Sequence, residues 1–109
     1  MQTQLNLSEQ ILKQGSANLQ KGIETVGGKL YLTNQRLVFE AHAINVQGGN
    51  TEIALSDIQS LVKCWTKFLG FIPLTPNSLE VHTKENVKYR FVLFGREVWK
   101  TAIEASNNA

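Results

Sequence analysis

The segment Lys63-Cys64-Trp65-Thr66-Lys67-Phe68-Leu69-Gly70-Phe71-Ile72-Pro73-Leu74 holds the most pointed chemistry in the chain. Two lysines bracket a tryptophan, and large apolar residues follow. At a bilayer interface an indole or phenyl ring sits at headgroup level while a nearby ammonium meets anionic lipid. Lys63, Trp65, Lys67, Phe68 and Phe71 have the residue types for that task. The same segment suits a protein contact or self-association patch. Folding back to complete a core is the third use for such side chains.

Lys21, Lys29 and Arg36 form a second group, a phosphate cradle if the fold brings them to one end of a barrel. Phosphate recognition needs several donors converging on one point, and arginine's fork does this best. The alternative is a set of solvated strand residues.

Other reactive types are sparse. A single cysteine, Cys64, excludes a disulfide framework and a cysteine-rich zinc site. With no histidine near it in sequence, it reads as a small hydrophobe and not a reactive thiol. His42 starts a loop and His82 lies on the polar face of a strand, both read as exposed and idle. Asp57 reads as a turn former. No phosphate-binding glycine loop, nucleophile elbow or paired-histidine zinc motif is present, so no enzyme, cofactor or metal is expected. Lys88 and Arg90 flank Tyr89, but strand alternation puts the ring on the opposite face, against a nucleic-acid platform.

The 109 residues make one domain, with 42% hydrophobic residues for a core and a formal charge of +2. The longest apolar stretch, Phe68 to Leu74, is broken by Gly70 and Pro73 and cannot span a membrane. The opening residues lack the pattern of a secretory signal, and a cytoplasmic address, peripheral on the inner membrane face, is expected. Residues 1–16 read as a lead-in with a short helix, Ser8 as its N-cap, Leu7 and Leu12 as a hydrophobic staple and Gly15 as its stop. Alternation then predicts strands over Ala17–Ile23, Lys29–Thr33, Arg36–Glu40, Thr51–Leu55, Ile58–Trp65, around Leu79–His82, and over Val87–Phe94. Leu37 and Phe39 read inward, and Arg36 and Glu40 outward. Turns fall at Gly27-Gly28, Asn34-Gln35, Gly48-Gly49-Asn50, Ser56-Asp57 and Lys84-Glu85-Asn86. One glycine and two prolines argue against an uninterrupted strand over Trp65–Asn77. Val98, Trp99, Ala102 and Ile103 recur at helical spacing between Gly95 and Ser106, with Trp99 plugging an open barrel end. Residues 107–109 read as a frayed tail.

Gly28-Lys29-Leu30-Tyr31-Leu32-Thr33-Asn34-Gln35-Arg36-Leu37-Val38-Phe39 resembles the signature hairpin of GRAM domains. Ile53-Ala54-Leu55-Ser56-Asp57-Ile58 resembles their fourth-strand corner, and Tyr89-Arg90-Phe91 with the Trp99/Ile103 helix falls where that family has a late strand and closing helix. The resemblance covers roughly residues 17–105 and implies a domain over 17–106. It implies a mainly β, pleckstrin-homology-like fold: a seven-stranded antiparallel barrel or sandwich, two packed sheets capped by a C-terminal α-helix. It also implies a non-catalytic module that binds lipid or protein. The lipid-binding pattern of pleckstrin-homology domains has one basic residue late in strand one and two flanking a position in strand two; Lys21 and Lys29 occupy the first two places, and Tyr31 stands in the third. The expected function is docking on anionic membrane headgroups through Lys63, Trp65, Lys67, Phe68 and Phe71, with Lys21 and Lys29 as a weaker second site. Protein interaction or self-association as a homodimer, through the same loop or a sheet edge, is the alternative.

Overall fold

A computed structural model describes residues 1–21, 24–42, 50–68 and 72–107, with the backbone alone for residues 21, 65–68 and 72–76. Strands β1 (Ile11–Lys21), β2 (Glu24–Thr33), β3 (Arg36–Ala41) and β4 (Asn50–Ala54) are followed by a 3-10 turn over Leu55–Asp57. Then come β5 (Ile58–Phe68), β6 (Ile72–Thr83), β7 (Lys88–Leu93) and helix α1 (Arg96–Asn107). The strands form one antiparallel sheet in the order β4-β3-β2-β1-β7-β6-β5. Two packed sheets were expected; the ladder is instead continuous through the β1–β7 pair. The sheet curls on itself: Phe39 on β3 and Phe91 on β7 are three strands apart in order, yet their ring centroids are 5.8 Å apart.

The inner face follows the two-residue period of the sequence. Ala17 and Leu19, Leu30 and Leu32, Leu37 and Phe39, Leu79 and Val81, and Phe91 and Leu93 are all buried in one cluster. Helix α1 closes that cluster with Trp99 and Ile103, as its spacing predicts. Trp99 packs over β1, where a Cβ on Gly15 would lie 3.5 Å from its ring and Lys13 Nζ sits 4.9 Å from its centroid. Val98, counted in the apolar stripe, is instead 60% exposed, and Val87 is 41% exposed.

The N-terminal lead-in departs most from expectation. Residues 1–10 contain no helix, and β1 begins at Ile11. Ser8 is no N-cap; it occupies a turn at φ 62, closed by the Glu9 N–H donating to the Asn6 carbonyl at 3.1 Å. Gly15 stops nothing and pairs with Leu30. The staple pattern is local, whereas a whole strand partner decides this segment: Lys13 to Lys21 pair residue for residue with β2.

Gly27 and Gly28 do not turn the chain but lie inside β2. Gly28 is there because β3 passes too close for a side chain. A Cβ would meet the Glu40 carbonyl oxygen at 2.3 Å and the Phe39 ring at 2.7 Å. The turns at Asn34-Gln35 and Lys84-Glu85-Asn86 are where expected, Asn86 taking φ 67, a left-handed conformation asparagine tolerates. Ile23, Gly48, Gly49 and the last two residues lie outside the described residues.

Arg36 is the clearest correction on the strands. It does point outward from the core, but it is only 9% exposed because residues 1–10 strap across the outer face of β2, β3 and β4. Its Nε and a terminal nitrogen grip both oxygens of Glu9 at 2.8 and 2.9 Å. Its remaining donors go to Glu52 Oε1 at 2.6 Å and the Gln4 carbonyl at 2.9 Å. Thr33 Oγ1 donates to the same Glu9 at 2.6 Å. The Arg36 fork holds Glu9 far below the ordinary carboxylate range, down to about 2, against the opposing effect of burial.

Candidate functional site

The segment over Trp65–Asn77 is not one uninterrupted strand, as its glycine and prolines predict, but its two ends extend the neighbouring strands where a loop was expected. β5 runs on to Phe68 and β6 starts at Ile72, with Phe68 paired to Ile72 and Lys67 to Pro73. The physical reason is the length of β7. It pairs with β6 only from Ser78 to His82, so residues 72–77 have β5 on one side and no β7 ladder on the other. Pro73 and Pro76 fall in that stretch, where an absent N–H costs no central ladder bond. Register irregularities at Cys64/Thr66 and Thr66/Lys67 mark where the pairing adapts. The result is a two-stranded arm that leaves the sheet at Cys64 and Ser78.

Of the residues expected there, Lys63 is exposed at the root of the arm and ion-paired with Glu97 of α1. Trp65, Lys67 and Phe68 lie on the arm's β5 strand. Phe71 lies outside the described residues. The root is braced by Arg96, whose guanidinium donates to the Cys64 carbonyl at 2.8 Å. The Cys64 thiol is half-buried, and burial raises its pKa, which keeps it a neutral thiol.

The structure adds a residue the sequence reading left unused. Phe94 is 89% exposed at the end of β7. With Asn77 of the arm root and Ser16, Asn18, Gly28 and His42 it lines a cavity of about 320 Å3. Alternation carried the signal: Leu93 points inward, so Phe94 must point out. Val98, one helical turn on, is also exposed.

Lys21 and Lys29 do not share this location. Register places Ser78, Val92, Asn18 and Gly27 on one level across the sheet, and Glu80, Arg90, Gln20 and Thr25 two residues beyond it. The arm leaves from the first level in one direction. Lys21, opposite Glu24, lies at the other end of the sheet. Lys29, opposite Ser16, lies on the arm's side, exposed, with its ammonium 5.7 Å from the Tyr31 ring. Along β2, Glu24 opposite Lys21 and Lys29 itself are five residues apart, about 17 Å at ordinary strand rise. Arg36 lies beyond Lys29 again, next to the β2–β3 turn, with its donors committed to Glu9, Glu52 and Gln4. The three cations therefore do not converge on one phosphate.

The outer face of β6 and β7 carries a further polar cluster. Glu80 accepts from Arg90 and lies 2.8 Å from His82 Nε2, so His82 is half-buried and engaged, not idle. Burial alone would raise the Glu80 carboxyl, but His82 and Arg90 hold it low. Among the described residues no group of three or more His, Cys, Asp and Glu is placed to hold a metal, and no helix is long and apolar enough to cross a membrane.

A seven-stranded antiparallel sheet curled about one core and closed by a C-terminal helix is the pleckstrin-homology-like fold, and solved structures bear this out. The C-terminal domain of an unknown protein from Leishmania infantum superposes with a TM-score of 0.76 at 17% identity, covering 94% of this chain and 88% of that one. The Vps36 N-terminal PH domain gives 0.69 at 17%, covering 96% and 83%. The hSac2 domain from human phosphoinositide phosphatase Sac2 gives 0.72 at 10%, covering 95% and 73%. No curated protein matches the sequence. The GRAM domain family model matches residues 1–98, and the chain belongs to the GRAM domain family. Membership of that family is consistent with a lipid- or protein-binding module.

Proposed function

We propose that this chain is a non-catalytic module that docks on anionic membrane surface through the β5–β6 arm, with Lys63, Trp65, Lys67, Phe68 and Phe71 in contact. One observation carries the reading: the arm stands clear of the β7 ladder and holds the Lys-Cys-Trp-Thr-Lys-Phe run, beside an exposed Phe94 at its root. An aromatic pair flanked by lysines matches the headgroup layer, where each lysine adds about 1 kcal/mol and rings supply the rest. Lys63 shares its charge with Glu97, an exposed pairing that lipid phosphate can displace. Lys21 and Lys29 act as a weaker second contact. Because Lys21 lies at the far end of the sheet, Lys29 is the one placed to join the arm on a flat surface. A protein-bound state, including a homodimer, is the second reading. It is favoured by the position of β5 at the edge of the sheet, where a further strand can pair. A site on the inner face of the cytoplasmic membrane follows from the first reading.

Co-sedimentation with neutral and anionic vesicles, at low and physiological salt, separates the two. Binding to anionic vesicles alone that weakens with salt, and is lost when Trp65 and Phe68 become Ala in a still-folded protein, supports membrane docking. No binding to either vesicle leaves the protein-contact reading.

A further inference from the structure

The outer face of β2 carries two donors that the fold leaves without an acceptor. The first is Tyr31. It is only 5% exposed, yet nothing among the described residues hydrogen-bonds to its hydroxyl. That hydroxyl is not sealed in protein either, because among the described residues no fully buried side-chain oxygen or nitrogen lacks a partner. It opens on a cavity of about 400 Å3, which Tyr31 lines with Gln2, Lys29, Glu40, His42 and Asn50. A buried tyrosine hydroxyl ordinarily has a partner, so one that reaches a cavity unpartnered marks where a ligand atom belongs.

Lys29 is the second donor. It is exposed, its ammonium lies 5.7 Å from the Tyr31 ring, and it forms no hydrogen bond or ion pair among the described residues. Its cross-strand neighbour on β3 is Glu40, the natural counter-ion. The strap formed by residues 1–10 takes that carboxylate first. Glu40 Oε1 accepts the Gln2 N–H at 3.1 Å, and Oε2 accepts both the N–H and the hydroxyl of Thr3 at 2.6 Å each. Burial alone would raise the Glu40 carboxyl, but the Thr3 and Gln2 donors hold it below the ordinary range, so it is an anion whose charge is already spread. Burial and the nearby Glu40 charge push the Tyr31 phenol up, which keeps it a protonated donor. Asn50, whose amide donates to Thr3 Oγ1 at 3.3 Å, and the exposed His42 complete the polar lining.

We propose that this cavity is a site for one phosphate group, held between the Lys29 ammonium and the Tyr31 hydroxyl with His42 as a further donor. A phosphate supplies what both donors lack, several acceptor oxygens on one centre, and its bond to the ammonium is charge-assisted. The phosphate is carried by a lipid headgroup or by a small soluble molecule. With a lipid phosphate the site rests on the membrane reading; with a soluble one it stands without it, since it uses no residue of the arm. Lys21, about 17 Å away along the sheet, takes no part.

The test is an NMR titration of the isotope-labelled chain with inorganic phosphate at neutral pH, with ionic strength held constant by sodium chloride. The expected result is a saturating shift at the Tyr31 and Lys29 side chains. Tyr31→Phe is expected to weaken binding roughly tenfold, the loss of one hydrogen bond to a charged group, and Lys29→Met at least as much. Lys84→Met, which removes the same charge from the β6–β7 turn, is expected to change nothing. Without phosphate, Tyr31→Phe should keep the wild-type unfolding midpoint, because its hydroxyl has no protein partner to lose; added phosphate should then raise the wild-type midpoint and not the variant's. Shifts that grow without saturating, that Tyr31→Phe leaves unchanged, or that Lys84→Met weakens as much as Lys29→Met does, overturn the proposal. The source of the phosphate is read with the Trp65→Ala/Phe68→Ala protein and phosphatidylcholine vesicles with or without phosphatidic acid. Retention on the acidic vesicles that Tyr31→Phe abolishes assigns a lipid phosphate. Saturable binding of free phosphate without such retention assigns a soluble ligand, and it holds even if the arm fails to dock.

Discussion

The strapped outer face of β2–β3–β4 and the β5–β6 arm treat charge in opposite ways. On the strapped face, Glu9 and Arg36 are buried against each other and all three nitrogens of the guanidinium are engaged. At the arm's root, Lys63 and Glu97 pair in the open. A buried pair locks structure, because losing one partner strands the other away from water; an exposed pair exchanges with solvent and stays available to a ligand. The first region should therefore answer to mutation in stability, and the second in binding.

The largest expected effect comes from breaking the buried pair. Arg36→Ala should cost about 3–5 kcal/mol by denaturant unfolding, because Glu9 is left buried with only Thr33 and Asn6 as donors. A loss below about 1 kcal/mol would show that the strap does not seal the pair from water.

Acid should attack the same place. Glu9 titrates at about 2 in the folded protein against an ordinary 4.5. A lowered folded pKa gives stability that is fully present above about 4.5 and is lost as pH falls toward 2. Glu40 and Glu80 are shifted in the same direction, Glu40 by its Thr3 and Gln2 hydrogen bonds against the effect of burial. Unfolding midpoints measured between pH 5 and 2 should fall, and Glu9→Gln should flatten much of that slope while lowering the midpoint at neutral pH.

A smaller loss, about 1–3 kcal/mol, is expected for Gly28→Ala, whose methyl would push β3 backbone away and disturb the Glu40 seat. The smallest stability effect belongs to the arm's root. Glu97→Gln should leave the unfolding midpoint within error while raising affinity for anionic vesicles a few-fold, because Lys63 is released. A stability change as large as that of Gly28→Ala would erase the contrast between the two regions.

The sequence made the strands legible wherever one face was apolar and the other polar. Phe91 and Leu93, Leu79 and Val81, and the Trp99/Ile103 helix all face the core as their spacing predicts. It misled where covering came from outside the sheet. Leu30-Tyr31-Leu32 and Leu37-Val38-Phe39 are apolar at three consecutive positions, the mark of a strand covered on both faces. Tyr31 and Val38 are indeed buried, but nothing local says that residues 1–10 supply the cover. Arg36 looked solvated for the same reason, its partner lying 27 residues away at Glu9. Ser8 has an N-cap's chemistry, yet pairing of β1 with β2 decides its surroundings. At the candidate site, residue type pointed to Lys63, Trp65, Lys67, Phe68 and Phe71. That Lys21 and Lys29 lie about 17 Å apart along the sheet is a matter of register, which no residue type encodes.

The central claim is that the arm, and Trp65 in particular, enters the headgroup layer. The chain has two tryptophans, and Trp99 is 3% exposed on the core-facing side of α1, so a quencher confined to lipid discriminates between them. Tryptophan fluorescence should be recorded with anionic vesicles carrying brominated acyl chains, at low and physiological salt. The expected result is quenching that diminishes with salt and disappears in Trp65→Phe, with the Trp99 emission untouched. Vesicle-bound protein whose emission is not quenched, or protein that stays unbound at low salt, would contradict it.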